Sequence, residues 1–115
     1  MVGIRLITLS ENTAWQTRVL AEWGLSILIE KDGRGVLFDT GETISAVQNA
    51  KTLGVDLTKI DTIVISHGHF DHTGGLTSLL SEIKREVTII AHPDIWEPKY
   101  NHEEGRPVPQ VGGME

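Results

Sequence analysis

The sequence predicts an α/β fold in which two strand-then-helix units build one layered domain. Two continuous apolar runs, at residues 36–39 and 62–65, are typical of buried strands. Each run is followed, after a loop, by an amphipathic helical pattern, at residues 43–53 and 76–83. A strand that leads into a helix lying back over the sheet is the repeating unit of this fold class.

The beginning of the chain adds further strands. Residues 4–9 predict a strand, and alternation places three side chains on one face: Ile4, Leu6 and Thr8. Residues 25–30 predict another strand, which the sequence DGRG joins to the next apolar run as a hairpin. Because a strand follows the two glycines of this turn, they do not indicate a dinucleotide site. Residues 11–21 fit either a loop or a short helix.

The helical patterns predict which side chains face the sheet. For the first helix these are Ile44, Val47, Ala50 and Leu53, with Gly54 ending the helix. For the second helix they are Leu76, Leu79, Leu80 and Ile83, with Thr73 as the N-cap. Residues 87–91 then predict one more buried strand.

The most informative segment joins the strand of the second unit, residues 62–65, to its helix, residues 76–83. Residues 66–75 read SHGHFDHTGG, which contains three histidines and one aspartate within six positions. Strand alternation places His67 and His69 on one side, and Gly68 lets the backbone come close to an ion. Asp71 and His72 follow where the chain turns, so we expect them to serve a second, neighbouring ion. Imidazole and carboxylate are ligands of zinc, iron and manganese, and the carboxyl end of a buried strand is where α/β proteins place their sites.

This segment carries a family resemblance. The sequence IVISHGHFDHTGGL at residues 63–76 resembles the metal loop of the metallo-β-lactamase-fold hydrolase superfamily. The sequence VLFDTG at residues 36–41 resembles the strand end that presents an aspartate in that superfamily. The resemblance covers about residues 20–95. Residues 25–41 together with AHPD at 91–94 most resemble the branch of dihydropterin-type phosphate synthases and related metal-dependent hydrolases.

The resemblance implies only part of a larger fold. Superfamily domains are αββα sandwiches built from two β-β-α halves, and this chain resembles the N-terminal half. Residues 1–97 would form that half-domain, and residues 98–115 an irregular tail containing Pro and Gly. The family's third histidine for the first ion, its bridging aspartate and its final histidine belong to the second half. The resemblance therefore implies an incomplete site in this chain alone.

The implied chemistry is hydrolysis by metal-activated water. Zinc fits best, and iron or manganese also fit, as one ion or two. His67 and His69 would hold the first ion, while Asp71 and His72 would hold the second. Asp71 is also the catalytic candidate, because it can orient the attacking water. The substrate would be a small molecule with an ester, lactone, amide or phosphoester bond.

Three further residues are candidates for smaller roles. Asp39 either holds a ligand imidazole in the required tautomer or simply caps the end of its strand. His92 follows a strand parallel to the motif strand, so it can contact substrate in the same crevice. His102 lies in the tail, where we expect it to be solvated.

Composition limits the function classes. The 115 residues carry a net charge of −6, which opposes a broad nucleic-acid or anionic membrane surface. The apolar runs are all shorter than the ~20 residues of a membrane span, and the N-terminus does not resemble a secretion signal. With no cysteine, neither disulfides nor thiolate ligands are expected. We expect a cytoplasmic location.

Two other functions fit parts of the sequence. Asp39-Thr40-Gly41 after two apolar residues resembles half of a dimeric aspartic protease, in which two Asp39 carboxyls share a proton. Alternatively, the chain is a non-catalytic metal-binding half-domain or assembly module. A half-sandwich exposes one apolar sheet face, so we expect a homodimer with sheet packed on sheet, or a separate complementary half.

Overall fold

The computed structural model describes residues 3–101 and 110–111. Its main element is a mixed sheet of five strands in the order β1-β2-β3-β4-β5. The strands are Arg5–Ser10, Ser26–Lys31, Arg34–Phe38, Ile60–Val64 and Thr88–Ile90. Strands β1, β2 and β3 pair antiparallel, whereas β4 and β5 run parallel to β3. The predicted α/β class is confirmed. Among the described residues, no helix combines the length and apolarity that crossing a bilayer requires.

The predicted hairpin joins β2 to β3. Its loop consists of Asp32 and Gly33, both with positive φ angles, of 52° and 76°. Two consecutive left-handed residues match the twist of the flanking strands, and Asp-Gly is a preferred pair for such a turn. Residues 11–21 form an irregular loop with turns, which is the first of the two predicted alternatives.

Two helices cover one face of the sheet. They are α1 (Ser45–Leu53) and α3 (Leu76–Ile83), separated from each other in the chain by β4 and a single-turn helix, α2 (Phe70–Thr73). The core between them and the sheet contains Leu9, Leu28, Leu37, Ala50, Ile63, Leu79 and Ile83. This layer packs against β3 and β4, and the candidate site lies at the carboxyl ends of these two strands.

The inward face of α1 differs from the prediction. Val47 and Ala50 are buried, but Ile44 is 48% exposed and Leu53 44% exposed. The helix begins at Ser45, so Ile44 precedes its first turn and Leu53 is its last residue. The small and polar residues Ser45, Ala46 and Asn49 complete the buried face instead.

Thr73 is not the N-cap of α3. It ends α2, and its hydroxyl donates to the carbonyl of His69, four residues earlier, at 3.1 Å. Gly75 occupies the N-cap position. The prediction was wrong because a separate helical turn precedes α3, and a threonine inside a helix bonds back to its own turn.

The last strand of the sheet is not buried. In β5, Thr88, Ile89 and Ile90 are all exposed, because the strand lies at the sheet edge. The first strand shows the same exposure on one side. Ile4, Leu6 and Thr8 do share a face, but that face points away from the helices.

Strand register aligns two rows of side chains on the face opposite α1 and α3. One row consists of Leu6, Ile29, Val36, Thr62 and Thr88. The next row consists of Thr8, Ile27, Phe38, Val64 and Ile90. We call these ten residues the outer sheet face. In the described part of the chain this mainly apolar surface has no helix over it.

The tail is described only in part. Two-residue strands β6 (Tyr100–Asn101) and β7 (Gln110–Val111) pair antiparallel, outside the main sheet. His102, expected to be solvated, lies outside the described residues.

Candidate metal centre

The motif loop leaves the carboxyl end of β4 beside the end of β3. Backbone hydrogen bonds join the two strand ends: Asp39 N donates to Val64 O, and Thr40 N donates to His72 O, each at 2.9 Å. The Thr40 hydroxyl donates to the same His72 carbonyl at 2.9 Å. These bonds hold the loop against β3 at the carboxyl ends of the strands, where the sequence predicted the site.

The loop brings three imidazoles together. The ring centroids of His67 and His69 are 4.9 Å apart, with the rings nearly perpendicular. Those of His67 and His72 are 4.2 Å apart. Asp71 completes the group, with its Oδ2 3.6 Å from His72 Nε2. The four predicted ligands therefore lie side by side, and imidazole and carboxylate are donor types that bind divalent ions such as zinc.

Asp39 lies beneath this cluster and is only 1% exposed. Its Oδ1 accepts a hydrogen bond from Ser66 N at 2.7 Å. Its Oδ2 accepts from the Ser66 hydroxyl at 2.6 Å and contacts His72 Nδ1 at 2.7 Å. The contacts fit both roles that the sequence left open for Asp39. The carboxylate accepts hydrogen bonds from the loop at the end of its strand, and it also contacts an imidazole. Its positive φ of 59° is a conformation that aspartate tolerates better than most residues.

Another grouping of possible ligands has to be weighed against the predicted one. Donor atoms of Asp39, His67 and His72 all lie within 4.8 Å of one another. However, the Asp39 carboxylate is 1% exposed and already contacts Ser66 N, the Ser66 hydroxyl and His72 Nδ1, so an ion bound there would compete with these hydrogen bonds. We therefore interpret Asp39 as the residue that orients the ligands. Burial opposes the aspartic-protease hypothesis, because a carboxyl that is 1% exposed cannot share a proton with the Asp39 carboxyl of a second copy.

The surroundings of His67 favour its neutral form. Desolvation lowers the pKa of His67 below its usual value of 6.5, and the neighbouring His72 and His69 lower it further. Asp39 and Asp71 act in the opposite direction but contribute less. A neutral imidazole has the free lone pair that a metal ion requires, so the lowered pKa suits a ligand.

Two glycines permit close packing around the loop. A Cβ on Gly24, whose φ is +103°, would lie 1.7 Å from the carbonyl oxygen of Asp71. A Cβ on Gly68 would lie 2.6 Å from the carbonyl oxygen of Ile95. The sequence predicted that Gly68 lets the backbone approach an ion, whereas the close neighbour in the structure is the Ile95 carbonyl. The sequence did not predict a role for Gly24, because its partner Asp71 is 47 positions away.

His92 lies beside the cluster, not within it. It is exposed, and its Nδ1 accepts a hydrogen bond from Asp94 N at 3.1 Å. A cavity of about 230 Å³ connects it with the loop, lined by Ser66, His67, Gly68, His92, Asp94 and Lys99 among others. His92 thus lines a cavity beside the motif loop, where its place after β5 predicted it. Its contact with substrate stays a prediction.

Comparisons with known proteins give a consistent result. The family model of the metallo-beta-lactamase superfamily matches residues 24–113. A 7,8-dihydropterin-6-methyl-4-(beta-D-ribofuranosyl)-aminobenzene-5'-phosphate synthase of Methanocaldococcus jannaschii is 39% identical over 104 residues, which cover 85% of this chain and 35% of the synthase. A ribonuclease Z of Nanoarchaeum equitans is 36% identical over 78 residues, covering 64% of this chain and 24% of the ribonuclease.

A solved structure extends this likeness to three dimensions. Tm1679, a metal-dependent hydrolase of the beta-lactamase superfamily, aligns with a TM-score of 0.76 and 29% identity, covering 98% of this chain and 37% of that one. The fold resemblance is confirmed, and the chain spans about a third of the length of these relatives. With a matching motif loop, sheet and helices, the chain belongs to the metallo-β-lactamase superfamily.

Proposed function

We infer that this chain carries the motif-loop part of a metal-dependent hydrolase site. The observation that supports this most strongly is the cluster of three imidazoles and Asp71 above a buried carboxylate. A divalent ion bound there would supply a water that ionises near neutral pH. His67, His69, Asp71 and His72 would hold the ion or ions, and Asp71 would orient the attacking water.

The proposed substrate is a small molecule with a hydrolysable bond. Of the ester, lactone, amide and phosphoester classes, the name of one relative, a ribonuclease, favours the phosphoester. His92 would contact the substrate from the adjoining cavity. The net charge of −6 favours a small substrate over a polyanion. Cytoplasmic location stays part of this proposal.

Metal analysis tests the proposed site. The purified protein should retain at least about one zinc, iron or manganese ion per chain, and added zinc should raise the thermal midpoint of the metal-free form. The double variant His67→Ala/His69→Ala should lose both effects. His92→Ala, which removes an exposed histidine outside the cluster, is the matched control and should keep them. An unchanged midpoint after zinc addition to the parent protein would contradict the proposal.

The division between two ions has its own test. If His67 and His69 serve one ion while Asp71 and His72 serve the other, Asp71→Asn should spare one bound ion and weaken the second. Titration calorimetry of the variant distinguishes the two affinities. A single ion that contacts all four side chains would refute the division.

A non-catalytic metal-binding module is the second candidate. It is favoured by the donor set, because the motif loop offers four predicted ligands, fewer than the family resemblance implies for a complete site. Zinc binding without turnover of bis(4-nitrophenyl) phosphate, 4-nitrophenyl acetate or a simple lactone would support the module. Robust zinc-dependent turnover by the 115-residue chain would support the hydrolase instead.

The outer sheet face leads to a proposal about assembly. Its apolar rows are open, and large apolar patches rarely persist on monomers. We propose a two-fold homodimer in which the two outer sheet faces pack together, unless a separate complementary half occupies that face. Val36→Lys, in the middle of the face, should then yield monomers, whereas Lys31→Glu at the hairpin end should not. A compact folded monomer of the parent chain at micromolar concentration, seen by sedimentation, would contradict the dimer.

A further inference from the structure

We propose that Ser66 is a positioning residue that fixes the tautomer of His67. The inference rests on the proposed metal site, and it concerns a residue of the motif segment to which the chemistry above assigns no role. The Ser66 hydroxyl lies 2.6 Å from Asp39 Oδ2 and 2.7 Å from His67 Nδ1. It therefore bridges the buried carboxylate and a ligand ring that the carboxylate does not contact directly.

Counting protons determines the direction of these hydrogen bonds. An ionised carboxylate only accepts, so the single hydroxyl proton of Ser66 must go to Asp39 Oδ2. The hydroxyl oxygen can then only accept from His67, which places a proton on His67 Nδ1. His72 likewise donates from its Nδ1 to Asp39 Oδ2. Both rings are thus left with an unprotonated Nε2 that is free to bind an ion.

The bridge is held from two sides. Ser66 N donates to Asp39 Oδ1 at 2.7 Å, while the Ser66 hydroxyl donates to Oδ2 of the same group. This double attachment prevents the hydroxyl from turning away, although Ser66 itself is exposed. One buried carboxylate consequently orients two ligand rings, His72 directly and His67 through Ser66.

Loss of the Ser66 hydroxyl should therefore change the tautomer of His67 and leave that of His72 unchanged. In water, a neutral imidazole prefers to carry its proton on Nε2, the atom an ion would need. Without the Ser66 hydroxyl, His67 should return to that preference, whereas His72 keeps its own contact with Asp39. Partners that orient metal-binding histidines typically contribute 10- to 100-fold to metal affinity.

Long-range nitrogen–proton NMR correlations of the metal-free protein test the assignment. At a pH where the imidazoles are neutral, parent His67 and His72 should both show protonated Nδ1. In Ser66→Ala, His67 should shift to protonated Nε2 while His72 stays unchanged. Ser66→Thr, which keeps a hydroxyl, should restore the parent pattern, and Ser81→Ala, on the exposed side of α3, is the control.

Zinc titration gives a second readout. Affinity should fall about 10- to 100-fold in Ser66→Ala and stay near the parent value in Ser66→Thr. Parent His67 protonated on Nε2, or a tautomer unaffected by Ser66→Ala, would overturn the inference even if zinc binds well. If Ser66→Ala does not fold, a parent His67 protonated on Nε2 still overturns the inference, and Ser66→Thr with the parent pattern still supports it. Parent protein with the expected tautomers but no zinc affinity would instead refute the proposed metal site.

Discussion

Replacing Asp39 by asparagine should disable the candidate site while preserving its shape. Three donors converge on this carboxylate, which is 1% exposed: Ser66 N, the Ser66 hydroxyl and His72 Nδ1. Asparagine offers one acceptor oxygen and an NH₂ group, so in either orientation the NH₂ faces at least one donor. The backbone is not disturbed, because asparagine tolerates the positive φ of this position as aspartate does.

The expected loss follows from the hydrogen bonds. A hydrogen bond to a charged group contributes roughly 1.5–3 kcal/mol, and a buried donor left without a partner costs roughly 1–3 kcal/mol. Asp39→Asn should therefore lower the free energy of unfolding by about 2–4 kcal/mol. Because His72 and, through Ser66, His67 lose their orientation, zinc affinity should also fall by about 10- to 100-fold or more.

Denaturant unfolding with and without zinc measures both effects. Asp32→Asn is the matched control, because Asp32 also has a positive φ, of 52°, but is exposed in the hairpin loop. We expect the control to change the unfolding free energy by less than about 0.5 kcal/mol. If Asp39→Asn were as stable as Asp32→Asn and bound zinc as tightly as the parent protein, the orienting role of Asp39 would be refuted.

Two paired substitutions test the packing around the site. Gly24→Ala should be more destabilising than Gly33→Ala and should also weaken zinc binding, since only the former places a Cβ against the Asp71 carbonyl. Both positions have positive φ, so both variants carry the backbone cost of about 1–2 kcal/mol, and only Gly24→Ala adds the steric clash. Equal losses of unfolding free energy in the two variants would contradict the close contact. Leu79→Ala, at a fully buried core position, should lower the unfolding free energy by about 2–5 kcal/mol. The prediction that Leu80 faces the sheet was wrong, since it is 37% exposed and α3 buries Leu79 and Ile83 instead. Leu80→Ala should therefore cost clearly less, and the reverse order would mean that α3 presents a different face to the sheet.

Local signals predicted the parts of this fold that depend on short stretches of chain. The Asp32-Gly33 turn requires only its own two residues to adopt left-handed conformations, and the hairpin is confirmed. The motif loop likewise places its histidines together because their spacing and the preceding strand are local. Its metal ligation stays a prediction.

The predictions that were wrong depended on the surroundings. Periodicity alone did not reveal that α1 begins after Ile44, and that starting point decides which residues face the sheet. The apolar run around Ile89 indicates a buried strand, but its edge position is set by which strands lie beside it. Ser66 carried no signal as an isolated serine, because its main partner, Asp39, is 27 residues away.

The most direct measurement of the central claim is a crystal structure of the zinc-loaded protein with an anomalous difference map at the zinc edge. The site described here predicts a peak in the motif loop, about 2.0–2.1 Å from the Nε2 atom of His67 or His72. Asp39 should keep its hydrogen bonds to Ser66. A peak on Asp39 with those bonds broken, or no peak near the loop at full zinc occupancy elsewhere, would contradict it.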